Sequence, residues 1–170
     1  ACPYFYMDLD YDDRFHLLFQ DRNGNILYSR IENENIKTIP VLKSKSKSVY
    51  NKHFYLIPSK KNIQLFYVIE HNDRLILAHQ QIIGEEPSNP RVIDYVNPCA
   101  FPYVITTDRN GTIYAYYQAS DGKYLQLGYK KYMGNRNYWG EFTPVTRFNG
   151  DCEFPHVICD INNVMHLCYQ

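Results

Sequence analysis

Neither sign of charge is in excess: 18 Lys and Arg balance 18 Asp and Glu over 170 residues, for a formal net charge of zero. A chain without a basic surplus exerts no long-range pull on phosphate backbones or anionic lipid, so neither nucleic acid nor membrane is an expected partner. Long apolar runs are missing as well. The stretch Ile63–Ile69 is strand-length, far short of the roughly 20 residues that span a bilayer. Gly-x-Ser-x-Gly, a Walker loop and His-x-x-x-His are absent, which removes the motif support for a serine hydrolase, a phosphate-cradling loop or a helical zinc site. The five cysteines are an odd number without tight spacing, a pattern that favours reduced thiols and a cytosolic setting. No charged-then-apolar leader stands at the N-terminus. The chain starts at Ala1 rather than Met, so a secreted origin stays open.

Aromatic residues are plentiful, with 17 Tyr and nine Phe, while nine Pro and eight Gly are scattered as punctuation. That composition suits pleated, half-buried surfaces broken by turns. Apolar residues alternate or run for five to seven positions between turn signals without a 3.6-residue period, which predicts strands rather than helices. Only Val49–Tyr55 is ambiguous.

A repeat organises these strands. Four apolar runs end on Gln20, Val68, Gln118 and Gln170, at intervals of 48, 50 and 52. Ten residues before each end lies a turn-type residue: Asp10, Pro58, Asp108 and Asp160. Another apolar run precedes each: Tyr4–Met7, Phe54–Ile57, Tyr103–Ile105 and His156–Cys159. Three of these follow a Cys and a Pro: Cys2-Pro3, Cys99 with Pro102, and Cys152 with Pro155. Each repeat therefore reads as strand A, tight turn, strand B. After the first three, turns at Asp21–Gly24, Glu70–Asp73 and Ala119–Gly122 lead to strand C at Ile26–Arg30, Leu75–His79 and Tyr124–Tyr129. Strand D is fainter, at Thr38–Leu42, Arg91–Val96 and Phe142–Phe148. Lys43–Lys47 reads as a solvated connector in preference to a basic contact patch.

A single four-stranded meander cannot hide both faces, and radial stacking solves that problem. The expected fold is all-β: one partial β-propeller domain over 1–170, with three four-stranded antiparallel blades (about 1–48, 49–98 and 99–150) plus the first two strands of a fourth in 151–170. A β-sandwich is the competing architecture.

The best-formed repeat is Pro102-Tyr-Val-Ile-Thr-Thr-Asp108-Arg-Asn-Gly111 with Ile113–Tyr117, then Ser120-Asp-Gly122, then Tyr138-Trp139-Gly140. It resembles the sialidase-type (BNR-like) propeller repeat, and the resemblance covers nearly the whole chain at the level of pattern. The family's Asp-box, Ser-x-Asp-x-Gly-x-x-Trp, is absent; Gly134–Trp139 is the nearest equivalent. The catalytic set of that family, three arginines with a Tyr/Glu pair and an Asp acid, finds no match among Arg14, Arg22, Arg30, Arg74, Arg91, Arg109, Arg136 and Arg147. The resemblance thus implies a frame and assigns no catalytic residue.

Asp8, Asp10, Asp12 and Asp13 offer alternating carboxylates of the kind calcium takes, but they fall where the repeat requires an A–B turn, and a solvated hairpin turn is the expectation. If Asn162-Asn163 form a two-residue turn, Cys159 lies opposite His166 and Val157 opposite Cys168, which places Cys159, His166 and Cys168 on one face as zinc-type ligands. No fourth ligand is evident, His156 points to the other face, and core packing is preferred to metal. Trp139, Tyr138 and Tyr132 are candidates for a sugar-stacking surface. His16, His53, His71 and His79 show no partner spacing. No cofactor is expected.

The apolar last strand, Val164–Gln170, would be an unpaired edge along Val164, His166, Cys168 and Gln170. This predicts either further blades in a longer chain or self-association, with a dimer the commonest solution. The function expected is a non-catalytic binding or scaffold module for a protein or glycan ligand. The alternative is a carbohydrate-active propeller, either a lectin or part of a glycosidase.

Overall fold

A computed structural model describes residues 4–45, 50–59 and 62–170. The Cys2-Pro3 pair, residues 46 and 47 of the basic connector, and Val49 lie outside the described residues. The chain divides into two compact units, one of Ala1–Glu70 with Ile76–Val92 and the other of His71–Leu75 with Ile93–Gln170. All regular structure in the described residues is β, in antiparallel sheets, and the ambiguous 50–54 segment is irregular rather than helical.

In the first unit, β1 (Phe5–Leu9), β2 (Phe15–Gln20), β3 (Ile26–Glu32) and β4 (Asn35–Leu42) form a meander in that order. β5 (Tyr55–Pro58), β6 (Asn62–His71), β7 (Arg74–Ile83) and β8 (Glu86–Pro87) form a second one. β9 (Arg91–Val96), the expected strand D, begins in the first unit and continues into the second. Period-2 alternation makes one face of the first sheet from Tyr6, Leu18, Tyr28 and Ile39, which share a register row. This face packs on Leu56, Ile63, Leu65, Tyr67, Ala78 and Ile82 of the second sheet. β1 lies against β5, and β4 against β8. Six consecutive residues of β6, from Ile63 to Val68, are buried, as a strand covered on both faces requires, and the one polar member, Gln64, is bonded to His79 and Gln81.

In the second unit, β10 (Tyr103–Thr107), β11 (Ile113–Ser120) and β12 (Leu125–Met133) form the third meander. Its fourth position is split between β13 (Tyr138–Trp139) and β14 (Thr143–Pro144), both paired with β12. β15 (His156–Cys159) and β16 (Met165–Cys168) form a two-stranded sheet, and β10 lies against β15.

The expected strand over Phe142–Phe148 is reduced to Thr143–Pro144, for two physical reasons. Pro144 has no amide to give the ladder, and the Phe142 ring sits where a Cβ on Gly128 would be. Beyond Pro144, the Leu127 carbonyl still accepts from Val145 N at 2.8 Å and Thr146 N at 3.1 Å, and side chains make the bonds that follow. Thr146 Oγ1 accepts from Leu127 N at 2.8 Å. Gln126 Nε2 donates to the Phe148 carbonyl at 3.0 Å and accepts through Oε1 from Phe148 N at 3.0 Å.

The last hairpin is registered one residue away from the expected pairing. Cys159 faces Met165, Ile158 faces His166, and His156 faces Cys168. The turn is not the two residues Asn162-Asn163. Asp160 N bonds Val164 O at 2.9 Å, and Asn163, at φ 65°, bonds the Asp160 carbonyl. This is a three-residue loop closed by a left-handed residue. A one-residue slip exchanges faces, so Cys159 sits with Met165 and Leu167, apart from His166 and Cys168, and His156 shares the face of His166.

Candidate functional site

One turn recurs at Asp10, Asp21, Asp108 and Asp160. In each, Oδ1 of the Asp accepts the amides two and four residues on, at 2.8–3.0 Å. In each, the residue three positions on takes positive φ: Asp13, Gly24, Gly111 and Asn163. Asp, Asn and Gly are the types that make such a turn at low strain. At the three A–B turns, Oδ2 meets the side chain six residues on: His16 at 3.1 Å, Tyr114 at 3.4 Å and His166 at 3.0 Å. The second sheet has Pro58 at this position, and its turn is closed instead by Ser59 and Asn62.

The Asp10 copy opens onto a polar cleft within its own unit. The cleft holds about 220 Å³ and is lined by Asp10, Arg14, His16, Tyr28, Arg30 and Lys37 on one side, with Asn62, Ile63, Ile82 and Glu85 among those opposite. Asp10, Arg14 and His16 come from the first hairpin, and Tyr28 and Arg30 from β3. His16, Arg30 and Lys37 form one register row across β2, β3 and β4, so they project from the same face.

The buried part of the cleft is a chain of hydrogen bonds. Asp10 Oδ2 lies 3.1 Å from His16 Nε2, and His16 Nδ1 lies 2.5 Å from the Tyr28 hydroxyl. His16 and Tyr28 are 2% and 5% exposed. Burial works to raise the Asp10 pKa, but the bonds from His16, from the Arg14 and Asp12 amides and from the Arg14 side chain outweigh it and hold the carboxyl well below the usual range. An ionised Asp10 requires Nε2–H as its donor, so a neutral His16 accepts at Nδ1 from Tyr28. Burial pushes the Tyr28 phenol up to about 12, and it keeps its proton at neutral pH.

The rim is charged. Arg14 pairs with Asp10 at 2.7 Å and with Asp12 at 2.8 Å, and Lys37 pairs with Glu85. Arg30 makes neither a hydrogen bond nor an ion pair among the described residues. Its charge acts at longer range on Tyr28 and Glu85. Motif reading missed this site because His16, Tyr28 and Arg30 lie six, eighteen and twenty residues from Asp10. The one available signal was Asp followed six residues on by His, which occurs at Asp10/His16, Asp73/His79 and Asp160/His166, with the two side chains bonded to each other in the first and third pairs.

The other sequence candidates fall elsewhere. The Asp8–Asp13 cluster is an A–B turn, but Asp10 is buried rather than solvated, with its side chain 5% exposed, and both of its oxygens are occupied. Among the described residues no group of three His, Cys, Asp or Glu side chains is placed to hold a metal ion. Tyr132 and Trp139 are cross-strand neighbours with ring centroids 5.3 Å apart. Tyr132 is buried, Trp139 is half-buried, and Tyr138 is 44% exposed. Along β16, Val164, His166, Cys168 and Gln170 are exposed. Among the described residues β16 pairs with β15 alone, extended by Gln170 N to Glu153 O at 3.0 Å. The second unit has a wider cleft lined by Tyr124, Phe142 and Phe148, where the polar groups of Gln126 and Thr146 are already committed to backbone.

Neither family models nor curated proteins give any match to this chain.

Proposed function

We propose that this chain is a non-catalytic binding module, its meanders acting as propeller-type blades of the sialidase-like kind, and that the polar cleft beside Asp10 is its ligand site. The observation that carries the non-catalytic reading is the closed Asp10–His16–Tyr28 chain. Proton transfer needs a base with a free lone pair at reach of substrate and a nucleophile that ionises near the working pH. Both His16 nitrogens are engaged, and burial holds the Tyr28 phenol at about 12. The chain therefore fixes the cleft's shape and leaves its rim cations to hold ligand.

The blade reading is supported by first-strand to first-strand packing, β1 on β5 and β10 on β15, together with the shared Asp turn. Adjacent turns are tied to each other in the second unit, where Arg109 Nε donates to the Asp160 carbonyl at 2.8 Å. The outer face of the first sheet exposes Phe5, Met7, Leu9, Phe15 and Ile36. That face fits self-association through a second copy. A panel of fluorogenic glycosides tests the functional reading: no turnover is expected, and hydrolysis lost on Tyr28→Phe would overturn it in favour of a glycosidase.

A further inference from the structure

We infer that the cleft between the first two sheets binds a small organic carboxylate, with Arg30 as its principal contact. Three observations carry this. First, Arg30 is a half-buried residue whose side chain makes no hydrogen bond or ion pair among the described residues, although its row neighbour Lys37 and the rim residue Arg14 both have carboxylate partners. A guanidinium offers a planar fork that a carboxylate matches with two parallel bonds.

Second, a neutral donor lines the same cleft. Asn62 Oδ1 accepts from Gln64 Nε2 at 3.0 Å and from Ser59 Oγ at 3.1 Å. Its Nδ2 group is left without a partner among the described residues. Third, the wall also includes Ile39, Ile63 and Ile82. These suit a short hydrocarbon body and give nothing to a bare phosphate. The volume of about 220 Å³ is below the ≈ 300–1,000 Å³ of sites for drug-sized ligands, which limits the ligand to a few carbons.

Asp10 and Asp12 match Arg14, and Glu85 matches Lys37, so among the described residues Arg30 is the lining cation that has no carboxylate partner and that a monoanion would meet. Lys37 and Glu85 are about half exposed, at 49% and 59%, so that rim pair is weak in water. The bound carboxylate draws Lys37 away from Glu85 as its second cation.

Titration calorimetry with butyrate, butyramide and inorganic phosphate on the intact chain tests the assignment. Butyrate is expected to bind saturably, with phosphate and butyramide much weaker. Arg30→Gln is expected to weaken butyrate by about tenfold or more, the loss of a charge-assisted pair, and Glu85→Gln to tighten it severalfold by freeing Lys37. Because Glu85 is exposed, its variant reports even if Arg30→Gln fails to fold. Equal binding of butyramide, preference for phosphate, no saturable butyrate binding, or weaker binding in Glu85→Gln would each overturn the inference. A glycoside turned over by the protein overturns the non-catalytic reading and leaves the carboxylate site standing, so the two fail separately.

Discussion

Replacing Asp10 with alanine should cost the first unit far more than the same change at Asp160, although both residues close the same turn. At Asp10 the lost carboxylate accepts the amides of Asp12 and Arg14 at 2.9 and 3.0 Å and His16 Nε2 at 3.1 Å. The two turn amides can recover water, so each costs a net ~0.5–1.5 kcal/mol. His16 is 2% exposed, and orphaning a buried donor adds ~1–3 kcal/mol. The ion pair to Arg14 adds little because Arg14 reaches solvent. The total is about 2–6 kcal/mol, a large fraction of the ~5–15 kcal/mol that holds a domain together. At Asp160 the partner imidazole, His166, is 53% exposed and its turn lies at the surface, so water replaces the lost bonds and the penalty is much smaller. Urea unfolding followed by far-UV circular dichroism reads the difference as a shift in midpoint. Asp10→Asn should fall between the two, since it keeps Oδ1 but turns an NH₂ toward His16 and Arg14. Equal midpoints for Asp10→Ala and Asp160→Ala would refute the reasoning, because the buried bond to His16 would then contribute nothing.

Gly128→Ala places a Cβ into the Phe142 ring and the Thr143 carbonyl, and overpacking of this kind costs ~1–3 kcal/mol. Thermal unfolding should show the loss, and Phe142→Ala in the same chain should recover part of it. His79 stacks on Phe66 at 4.9 Å and bonds Gln64 Oε1 at 2.7 Å, and burial, helped by the charge of Arg91, lowers its pKa to about 3. With an unfolded value near 6.5, its stabilisation is full above pH 6.5 and is lost as the pH falls toward 3. By pH 4.5 the loss reaches about 2–3 kcal/mol, and His79→Leu should flatten the stability profile between pH 6.5 and 4.5. Light scattering should give about twice the chain mass of 20.2 kDa, and Met7→Lys on the exposed face of β1 should return the monomer. A wild-type mass of one chain refutes self-association.

Strands were the legible part of this chain. Strand B announced itself where a run was apolar throughout, as at Leu65–Ile69, because burial on both faces leaves no polar position to blur the pattern. Turns were legible where Asp stood three residues before Gly, at Asp21 and Asp108, and less so at Asp160, where Asn163 supplies the positive φ. Choosing Asn162-Asn163 as the whole turn shifted the register by one and gathered Cys159, His166 and Cys168 on a face they do not share. The fourth strand of the third sheet was overextended because Gln126 and Thr146, side chains on different segments, carry hydrogen bonds that a ladder would otherwise make. The cleft itself was illegible. Arg30 stands out only because Asp10, Asp12 and Glu85 choose other partners, and that choice is a property of the folded chain.

The account rests on a His16 ring locked between Asp10 and Tyr28, so the most direct test is the protonation of its two nitrogens. In ¹⁵N-imidazole NMR at neutral pH, His16 should show a proton on Nε2, held by Asp10, and a lone pair on Nδ1 that accepts from Tyr28. A ring protonated at Nδ1, with Nε2 bare and ready to act as a base, would contradict it.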